Sequence, residues 1–596
     1  MLEKLRAFLL DKTLLKKQEL LDTLPSHTDI SGILETLLSE VEYMQNDVKV
    51  GANVYRDVEF FQNFTEDPSQ PSPTVFDVIN QTCTKGGSLV AKSVLQFPLR
   101  NADIIRQRIQ TIEATSQADT SPLAKYEKDM LWLFQQQEKH IEDLFNIMYF
   151  RLFFLRKLNK SPKVLTLYNF HRIFLSPFIG LMSPVIYFII PFVVITIKFG
   201  MSISFVDYIR FFFKSLFSTT QMFLPSMKYF SVISMTFSLI FYFQGLFNSF
   251  EISRTLHKIC GFIVQRFNGA IRYLKQSKSI IQQFYTPEIE KAWLATDKGL
   301  VSMEQEIKCI DTLVDEPKDF GLLNLSFGHQ LERYKFIDKT VLASILRKTY
   351  LIDFIQSCHK FKAQNDVDFV KFQGTSIDMG ELRHPCLDPQ KVVKNDFMFS
   401  NKNIIVTGPN AGGKSTFIKS ILINALICQT IGISTCSECT TVCFDIIHSQ
   451  INIPDAKGHE SLFEAEMHRC LVTLNMLKEH QDKHSLVVMD EIFNSTNPVE
   501  GISAAFAIAK KMSEYENCKL VFTTHYSYLT KLAKTTDRFL NYRMNVVVDS
   551  EGNMSFPYKI SKGVSKQYIA LELLKKNGFD VDIIEEAIGI KNRLCV

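Results

Sequence analysis

Residues 403–416 read NIIVTGPNAGGKST, and this stretch decides the fold of the carboxy-terminal part of the chain. The apolar segment NIIVT leads into the pattern G-x-x-x-x-G-K-[ST], and the apolar-periodic segment TFIKSILINALI follows it. In this pattern, glycines let backbone N–H groups close around phosphates, and the positive end of the following helix adds to the attraction. Strand, loop and helix in this order predict a nucleotide-binding P-loop.

The loop residues have distinct expected roles. The backbone should cradle the phosphates of ATP, Lys414 should reach the β- and γ-phosphates, and the Ser415 hydroxyl should ligate Mg²⁺. The residues predicted to bind the nucleotide are Gly408, Pro409, Asn410, Ala411, Gly412, Gly413, Lys414, Ser415 and Thr416.

Two later strands supply the remaining chemistry. The apolar segment SLVVMDE ends in Asp490, predicted to hold Mg²⁺ through water, and Glu491, predicted to polarise the attacking water. The segment LVFTTHY brings His525 to another strand end, where it can sense or stabilise the γ-phosphate. With Lys414, these residues specify an ABC-type ATP site, so the sequence predicts an ATPase.

Composition sets broad limits. A chain of 596 residues should form several domains, and its net charge of +4 neither requires nor excludes nucleic acid. The cysteines form no regular framework and no amino-terminal secretory signal is present, which favours a reducing compartment. The tightest group, Cys436, Cys439 and Cys443, leaves zinc open, although its spacing favours buried or idle thiols.

Two charge-free runs stand out in the middle of the chain, residues 173–197 and 229–250. About 20 apolar residues suffice to cross the hydrocarbon core, so both runs qualify as transmembrane helices. Buried helices of a large soluble core are the alternative. The flanks 151–172 and 251–270 carry nine Lys and Arg against four in residues 198–228. This bias predicts a membrane hairpin with the ATPase domain and both termini cytoplasmic.

The predicted organisation is an α/β P-loop (ABC-type) ATPase domain at the carboxy terminus, preceded by a mostly α-helical core or lever domain with two transmembrane helices. The predicted segments are a helical lead-in (1–70), the first part of a helical core (71–172), the hairpin (173–250), the returning helical lever (251–366) and the ATPase domain (367–596).

The sequence resembles the MutS family. TGPNAGGKST is nearly that family's phosphate loop, MDEI its acidic strand and THY its switch histidine, while 381–385 (ELRHP) resembles the opening of its ATPase domain. The resemblance implies that Tyr558 stacks on the adenine, since Val392 stands where an aromatic usually does. In GHESLFEAEM (458–467), it implies that Ser461 reaches the ATP of a partner subunit, and therefore a homodimer joined through the ATPase heads.

Three departures from the family pattern matter. Only about 75 residues precede the core, so we expect the mismatch-recognition and connector domains to be missing. The apolar hairpin stands where the family inserts its DNA clamp. Phe493, Asn494 and Ser495, in the loop Phe493–Asn497, replace the family's Gly-Arg-Gly, which puts the coupling between two ATP sites in question.

The main functional hypothesis is a membrane-anchored, dimeric MutS-like ATPase whose lever helices move with ATP, tethering or remodelling DNA at a membrane. One alternative is a soluble MutS-type DNA repair or recombination ATPase with the apolar helices buried. Another is an ABC-type transport-related ATPase. The basic flank 151–163 suits a membrane surface better than DNA, so DNA binding stays open.

Overall fold

The structure is a computed structural model of the full chain. It describes residues 30–45, 48–63, 72–135, 139–221, 228–296, 298–315, 327–365, 367–374, 376–451, 462–548, 554–565 and 578–594. The chain divides into two compact units. Unit 1 comprises Met1–Thr36, Pro122–Ser279 and Val301–Ser344, and unit 2 comprises Leu37–Ser121, Ile280–Leu300 and Ile345–Val596.

Helices dominate the chain up to residue 365. They are α1 (Ile30–Leu38), α2 (Val54–Asp57), α3 (Val75–Ile79), α4 (Lys85–Leu95), α5 (Ala102–Ala114), α6 (Ser121–Ala124), α7 (Glu127–Trp132), α8 (Lys139–Phe145), α9 (Pro162–Phe170), α10 (Ser176–Val193), α11 (Phe205–Gln221), α12 (Lys228–Phe284), α13 (Pro287–Trp293), α14 (Met303–Val314), α15 (Phe327–Phe336) and α16 (Lys339–Asn365). The later helices are α17 (Lys414–Ile431), α18 (Leu462–Glu479), α19 (Pro498–Met512), α20 (Leu532–Thr535) and α21 (Val581–Leu594).

Strands belong to unit 2. They are β1 (Lys49–Val50), β2 (Val370–Phe372), β3 (Ile377–Leu382), β4 (Asn395–Phe399), β5 (Asn403–Thr407), β6 (Glu438–Thr441), β7 (Ile446–Gln450), β8 (Ser485–Met489), β9 (Cys518–Thr524), β10 (Phe539–Met544), β11 (Val547–Val548), β12 (Met554–Ser555) and β13 (Ile560–Lys562). A seven-stranded sheet has the order β1-β7-β8-β9-β5-β10-β13, and a four-stranded sheet has the order β2-β6-β3-β4.

The seven-stranded sheet positions the predicted site. Its strands are parallel except for the antiparallel edge pair β10–β13. Strands β5 and β8 are buried along their whole length, as expected for parallel strands covered on both faces. Because β5, β8 and β9 run in the same direction, the segments that follow them meet at one edge of the sheet. The predicted α/β ATPase fold is confirmed at the carboxy terminus.

The edge strand β1 differs from expectation. Residues 1–70 were predicted to be helical, yet Lys49 and Val50 pair in parallel with Ile446 and Ile447 of β7. A two-residue strand has no periodicity that a sequence pattern can reveal. Gly51, which follows β1, lies so close to β7 that a Cβ on it would be 2.4 Å from the His448 ring.

Within unit 2, one buried carboxylate joins α4 to α16. Asp353 accepts hydrogen bonds from the backbone N–H of Thr84 (2.9 Å), its hydroxyl (2.6 Å) and the Thr120 hydroxyl (2.6 Å). The Thr84 hydroxyl in turn accepts from Gly87 N–H, capping the first turn of α4. A Cβ on Gly87 would lie 2.4 Å from the Asp353 carboxylate, so glycine is required there.

The same unit clamps the far end of α17, the helix that follows the phosphate loop. Arg108 of α5 is fully buried, lies 4.5 Å over the Trp293 ring, and donates to the carbonyls of Ala292 (2.9 Å) and Thr430. Gln429 donates to the Leu99 carbonyl (3.0 Å), and Leu99 N–H donates back to the Gln429 carbonyl (2.7 Å). Helical residues from the first half of the chain therefore hold the P-loop helix in place.

In unit 1, the two apolar runs lie in α10 and α12. Among the described residues, one helix is long and apolar enough to cross a membrane, by length and composition: the continuous helical stretch Pro162–Lys198, whose apolar window is wholly unburied. The predicted pair of spans is therefore not supported. Run 229–250 begins the 57-residue helix α12, and several of its side chains lie outside the described set.

The two runs pack against each other in antiparallel fashion. Ser176 and Ser249 hydroxyls lie 3.3 Å apart, Ser253 donates to the Ile173 carbonyl, and Tyr242 donates to the Gly180 carbonyl at 3.0 Å. Pro177 lies four positions after Ile173, and Pro184 lies four positions after Gly180. Proline has no N–H, so neither carbonyl receives its usual α-helical hydrogen bond. Hydroxyls from α12 thus bond both carbonyls that lose their α-helical donors, and the Ser183 hydroxyl of α10 also donates to the Gly180 carbonyl at 2.9 Å.

Candidate active site

The phosphate loop joins the end of β5 to the start of α17. Ala411 (φ 67°) and Gly413 (φ 88°) adopt left-handed backbone conformations, which turn the loop over the helix N-terminus. A Cβ on Gly412 would lie 3.0 Å from the Pro409 carbonyl, so the turn has no room for a larger residue. This compact turn is the cradle that a phosphate-binding loop requires.

Lys414 is buried beneath this cradle. Its ammonium contacts the carbonyls of Gly408 and Pro409 (both 3.1 Å) and the Asn410 side-chain oxygen (3.3 Å). It also forms an ion pair with Glu491 at 2.8 Å. The predicted phosphate-binding cation and the predicted general base are therefore direct partners.

Glu491 has three polar side-chain partners. Besides Lys414, the Asn494 amide donates to its other carboxylate oxygen at 2.8 Å, and the His525 ring nitrogen lies 3.5 Å from that oxygen. His525 and Lys414 together hold the pKa of Glu491 at about 2, against the opposing effect of burial. Glu491 is therefore a carboxylate at any physiological pH.

Asp490 and Glu491 are fixed by the neighbouring strand β9. The Thr523 hydroxyl donates to the Asp490 carboxylate and accepts the Glu491 N–H at 3.2 Å. Sequence reasoning did not single out Thr523, although the polar pair TT before His525 was a visible signal. Asp490, Ser415 and Thr416 line the same cleft as Lys414, so oxygen ligands suited to Mg²⁺ converge there.

The cleft has a volume of about 820 Å³. Its lining includes His384, Leu387, Val392 and the ring of Tyr558, which is 47% exposed. The Tyr558 ring lies beside the phosphate loop, since a Cβ on Gly413 would be 3.0 Å from it. Asn395 donates to the Tyr558 carbonyl at 3.1 Å and accepts Ile560 N–H at 2.8 Å, which fixes the strand that presents the ring. Burial and the nearby Lys419 lower the pKa of His384 to about 4, so it is neutral. The neutral His384, the apolar Leu387 and Val392 and the Tyr558 ring offer surfaces that suit a nucleobase, and the charged side chains of Arg383, Asp388 and Lys391 line the same cleft.

The loop after the acids takes an unexpected form. Glu491 (φ 44°) and Phe493 (φ 62°) both have left-handed backbone conformations. The Phe493 ring is buried, and its centroid lies 5.7 Å from that of the Phe463 ring of α18. Gly501 allows the close approach of this loop, since a Cβ there would lie 2.5 Å from the Phe493 carbonyl. The family's Gly-Arg-Gly loop is thus replaced by one anchored through an aromatic side chain.

Helix α18 packs against that loop through Phe463 and Phe493. Burial raises the pKa of Glu466 on the same helix, and the nearby Ser495 side chain and Phe493 backbone N–H oppose that shift. The Glu466 carbonyl accepts from Gln450 at the end of β7, at 3.1 Å. Glu466 lies in the segment that resembles the family's signature, so this segment and the Glu491 loop are directly connected. Sequence analysis did not identify this connection.

Most predicted site residues meet in the cleft. Its lining includes Pro409, Asn410, Ala411, Gly413, Lys414, Ser415, Thr416, Asp490, Glu491 and Tyr558. Gly408 and Gly412 belong to the same loop, and His525 joins through Glu491. Ser461 lies outside the described residues. Within the described ranges, no group of three or more potential ligands is arranged for a metal ion, and this includes the cysteines 436, 439 and 443.

Comparison with known proteins identifies the same region. Residues 404–595 match the family described as MutS domain V. The chain is 27% identical over 330 residues to the DNA mismatch repair protein MutS of Alkaliphilus oremlandii, covering 54% of this chain and 35% of that protein. It is 26% identical over 328 residues to MutS of a Thermotoga species, covering 54% of this chain and 38% of that protein.

A eukaryotic relative shows a shorter match. The chain is 31% identical over 220 residues to the DNA mismatch repair protein spellchecker 1 of Drosophila melanogaster, covering 36% of this chain and 23% of that protein. The chain thus spans about a third of the length of the MutS relatives it matches, and less of this one. The matched region contains the phosphate loop, both acids and His525, and this carboxy-terminal domain belongs to the MutS family as its domain V.

Proposed function

We propose that this chain binds ATP with Mg²⁺ and hydrolyses it in the cleft between the phosphate loop and Tyr558. The observation that carries the proposal is the convergence of Lys414, Glu491 and His525 at the edge of a parallel sheet, beside a loop shaped for phosphates. Phosphoryl transfer needs positioned charge more than covalent chemistry, and this arrangement supplies it.

The ion pair suggests how nucleotide binding prepares the site. Lys414 contacts Glu491 and loop carbonyls. When Lys414 turns to the β- and γ-phosphates instead, Glu491 retains Asn494 and His525 and is free to orient an attacking water. Loss of the ammonium also raises the pKa of the carboxylate from its low value, which makes it a better proton acceptor.

Ser415 and Asp490 would hold Mg²⁺, the former directly and the latter through water. Bound there, the ion supplies positive charge to the phosphate oxygens. Thr523 holds Asp490 in position for this role through its hydroxyl. Tyr558, whose ring lies beside the phosphate loop, would stack on the adenine, as the family resemblance implies.

The experiment that tests this assignment is substitution of the base. Glu491→Gln should retain ATP binding and lose hydrolysis by at least about 100-fold, because an amide cannot accept the proton of water. Binding is measured with a fluorescent ATP analogue and turnover by phosphate release. Glu500→Gln, which changes an exposed acid at the start of α19, is the matched control and should behave as wild type. Full turnover in Glu491→Gln would refute the role of this residue.

The names of the relatives favour DNA as the ligand on which this ATPase acts. Each relative described above is a DNA mismatch repair protein, and a MutS-type repair or recombination ATPase is the role that these comparisons support best. They lend no support to transport. Titration of labelled duplex DNA at increasing salt checks this role, and absence of affinity even at low salt would remove it.

A second candidate is the same ATPase attached to a membrane, and a specific observation favours it. In water, a proline-freed carbonyl is satisfied by solvent, whereas in lipid every backbone polar group needs an internal partner. Tyr242 and Ser253 bond two such carbonyls in the first apolar run. The outward side chains of both helices, such as Phe178 and Phe241, are apolar and exposed.

Fractionation separates the two candidates. A chain anchored through residues 173–250, with its ATPase domain and termini cytoplasmic, stays in the membrane pellet after carbonate washing. A chain recovered wholly in the carbonate supernatant has no transmembrane hairpin, and the repair ATPase without a membrane anchor would then be the candidate that stands.

A further inference from the structure

A basic loop with exposed aromatic residues precedes the apolar helix of unit 1. Leu152, Phe153 and Phe154 are 58%, 86% and 74% exposed, three consecutive large apolar side chains on one loop. Exposed apolar residues are ordinary when scattered singly, but a contiguous group marks an interaction surface. We name residues 150–160 the aromatic loop.

The aromatic loop is closed at its base. The side chain of the buried Asn159 accepts Phe150 N–H at 2.8 Å and donates to the Phe150 carbonyl at 3.0 Å. The Phe150 ring also packs 4.2 Å from Tyr168 of α9. Residues 153–160 form a 3-10 helix between these ties. The fold therefore presents the three apolar side chains outward instead of leaving them in a free chain.

The charge around these side chains has one sign. Between residues 151 and 172 the chain carries no Asp or Glu and six basic residues: Arg151, Arg156, Lys157, Lys160, Lys163 and Arg172. Arg156, Lys157 and Lys160 lie on the aromatic loop itself and are exposed. Apolar tips surrounded by cations complement a surface that has anionic groups above an apolar layer.

We propose that the aromatic loop binds the anionic phospholipid headgroups of a membrane, with Leu152, Phe153 and Phe154 entering the boundary between headgroups and acyl chains. Arg156, Lys157 and Lys160 lie against the phosphates and carboxylates of the lipid. Duplex DNA offers phosphates but no apolar layer, so it leaves the three large side chains without a partner. Continuity with the candidate span Pro162–Lys198 brings the loop to the same membrane.

The proposed lipid binding by the aromatic loop rests on the proposed membrane attachment. Its test uses the fact that the two native tryptophans are buried. Trp132 and Trp293 are buried, so a tryptophan introduced at an exposed position reports its own surroundings. Phe153→Trp in the full-length chain is the loop probe. It is combined with vesicles of phosphatidylcholine alone or with phosphatidylserine, carrying bromine on the acyl chains near the headgroup. Tyr528→Trp, at a position about half exposed on the ATPase domain, is the matched control probe.

The expected result is a blue-shifted emission from the loop probe that brominated lipid quenches, more strongly with phosphatidylserine, whereas the control probe stays unquenched. Adding Arg156→Glu and Lys157→Glu should weaken the apparent affinity for phosphatidylserine-containing vesicles by at least about 30-fold, at about 1 kcal/mol for each basic residue lost. Unquenched emission from the loop probe in the brominated anionic vesicles would overturn the proposal, as would a shift caused by duplex DNA and not by lipid.

The carbonate wash tests the transmembrane hairpin independently of the fluorescence probe on the aromatic loop. If carbonate leaves the chain in the pellet while the loop probe is unquenched, the loop assignment fails and the hairpin stands. If carbonate releases the chain while the loop probe is quenched in anionic vesicles, the hairpin fails and the loop acts as a peripheral anchor.

Discussion

At the scale of single residues, the site is organised around Glu491. Its left-handed backbone (φ 44°) turns the carboxylate toward Lys414, and Asn494 holds the other oxygen. A non-glycine residue in this conformation costs of order 1 kcal/mol and is retained only when its surroundings fix it. Phe493, buried two residues later, and the close approach at Gly501 provide that fixation.

Asn494 should position the base without touching the nucleotide. Asn494→Ala removes one hydrogen bond to a carboxylate, about 1–1.5 kcal/mol at this exposed position, and should lower kcat by roughly 5–10-fold. KM for ATP should change little, because the loss concerns the water-orienting group. Steady-state hydrolysis gives both constants. Asn517→Ala, which also loses one amide hydrogen bond, is the control, and an unchanged kcat in Asn494→Ala would contradict the positioning role.

The residues of the site differ in how far sequence could predict them. The phosphate loop is local, so its glycines, Lys414 and Ser415 follow from one pattern, and Asp490 and Glu491 follow from an apolar strand that ends in acids. The partners Asn494, Thr523 and Glu466 depend on backbone turns and contacts between separate strands, which no local pattern encodes. Val392 and Tyr558 were placed by family resemblance and line one cleft.

At the scale of elements, helix α17 is held at both ends. Its first turn forms the phosphate cradle, and its last turn is bonded to Arg108 and Leu99. Asp353 of α16 bonds Thr84, the N-cap of the neighbouring helix α4, across 269 positions of sequence. Such a contact is set by tertiary packing, so periodicity predicts the helices and leaves their junction unknown.

The buried junction should be a major source of stability. Asp353→Ala leaves the Thr84 and Thr120 donors unpaired in a buried place and should lower the free energy of unfolding by about 3 kcal/mol or more. Asp537→Ala removes an exposed partner of Lys402 and should cost less than about 1 kcal/mol. Urea unfolding followed by fluorescence of the buried Trp293 compares the two. Equal midpoints would show that the Asp353 junction contributes no more than a surface ion pair.

For the two apolar helices, the sequence predicts the type of helix, but only the structure shows how the helices contact each other. Their composition predicts membrane helices, and the three prolines of the first run argue against that reading when considered alone. The hydroxyls of Tyr242 and Ser253 on the second helix answer the objection for Pro184 and Pro177. Only the pairing of the two helices reveals these two donors, which lie more than 60 positions away, whereas the Ser183 hydroxyl that also donates to the Gly180 carbonyl is local.

At the scale of the whole molecule, the proposed dimer makes a prediction that a monomer cannot meet. If Ser461 completes the ATP site of a partner, Lys414→Ala and Ser461→Ala are each inactive, yet mixing them restores one intact site in every mixed dimer. Equal mixing with free exchange should recover about a quarter of the wild-type rate. Phosphate release before and after mixing measures it, and no recovery would argue against a shared site.

Hydrolysis of ATP in the Lys414 cleft is the proposal on which the other roles depend. It is tested by Mg²⁺-dependent phosphate release from the purified full-length chain, wild type beside Lys414→Ala. We expect steady turnover in the wild type and a loss of at least about 100-fold in the variant, because the buried ammonium that meets the phosphates is gone. Equal rates in the two proteins, or no turnover in the wild type, would contradict it.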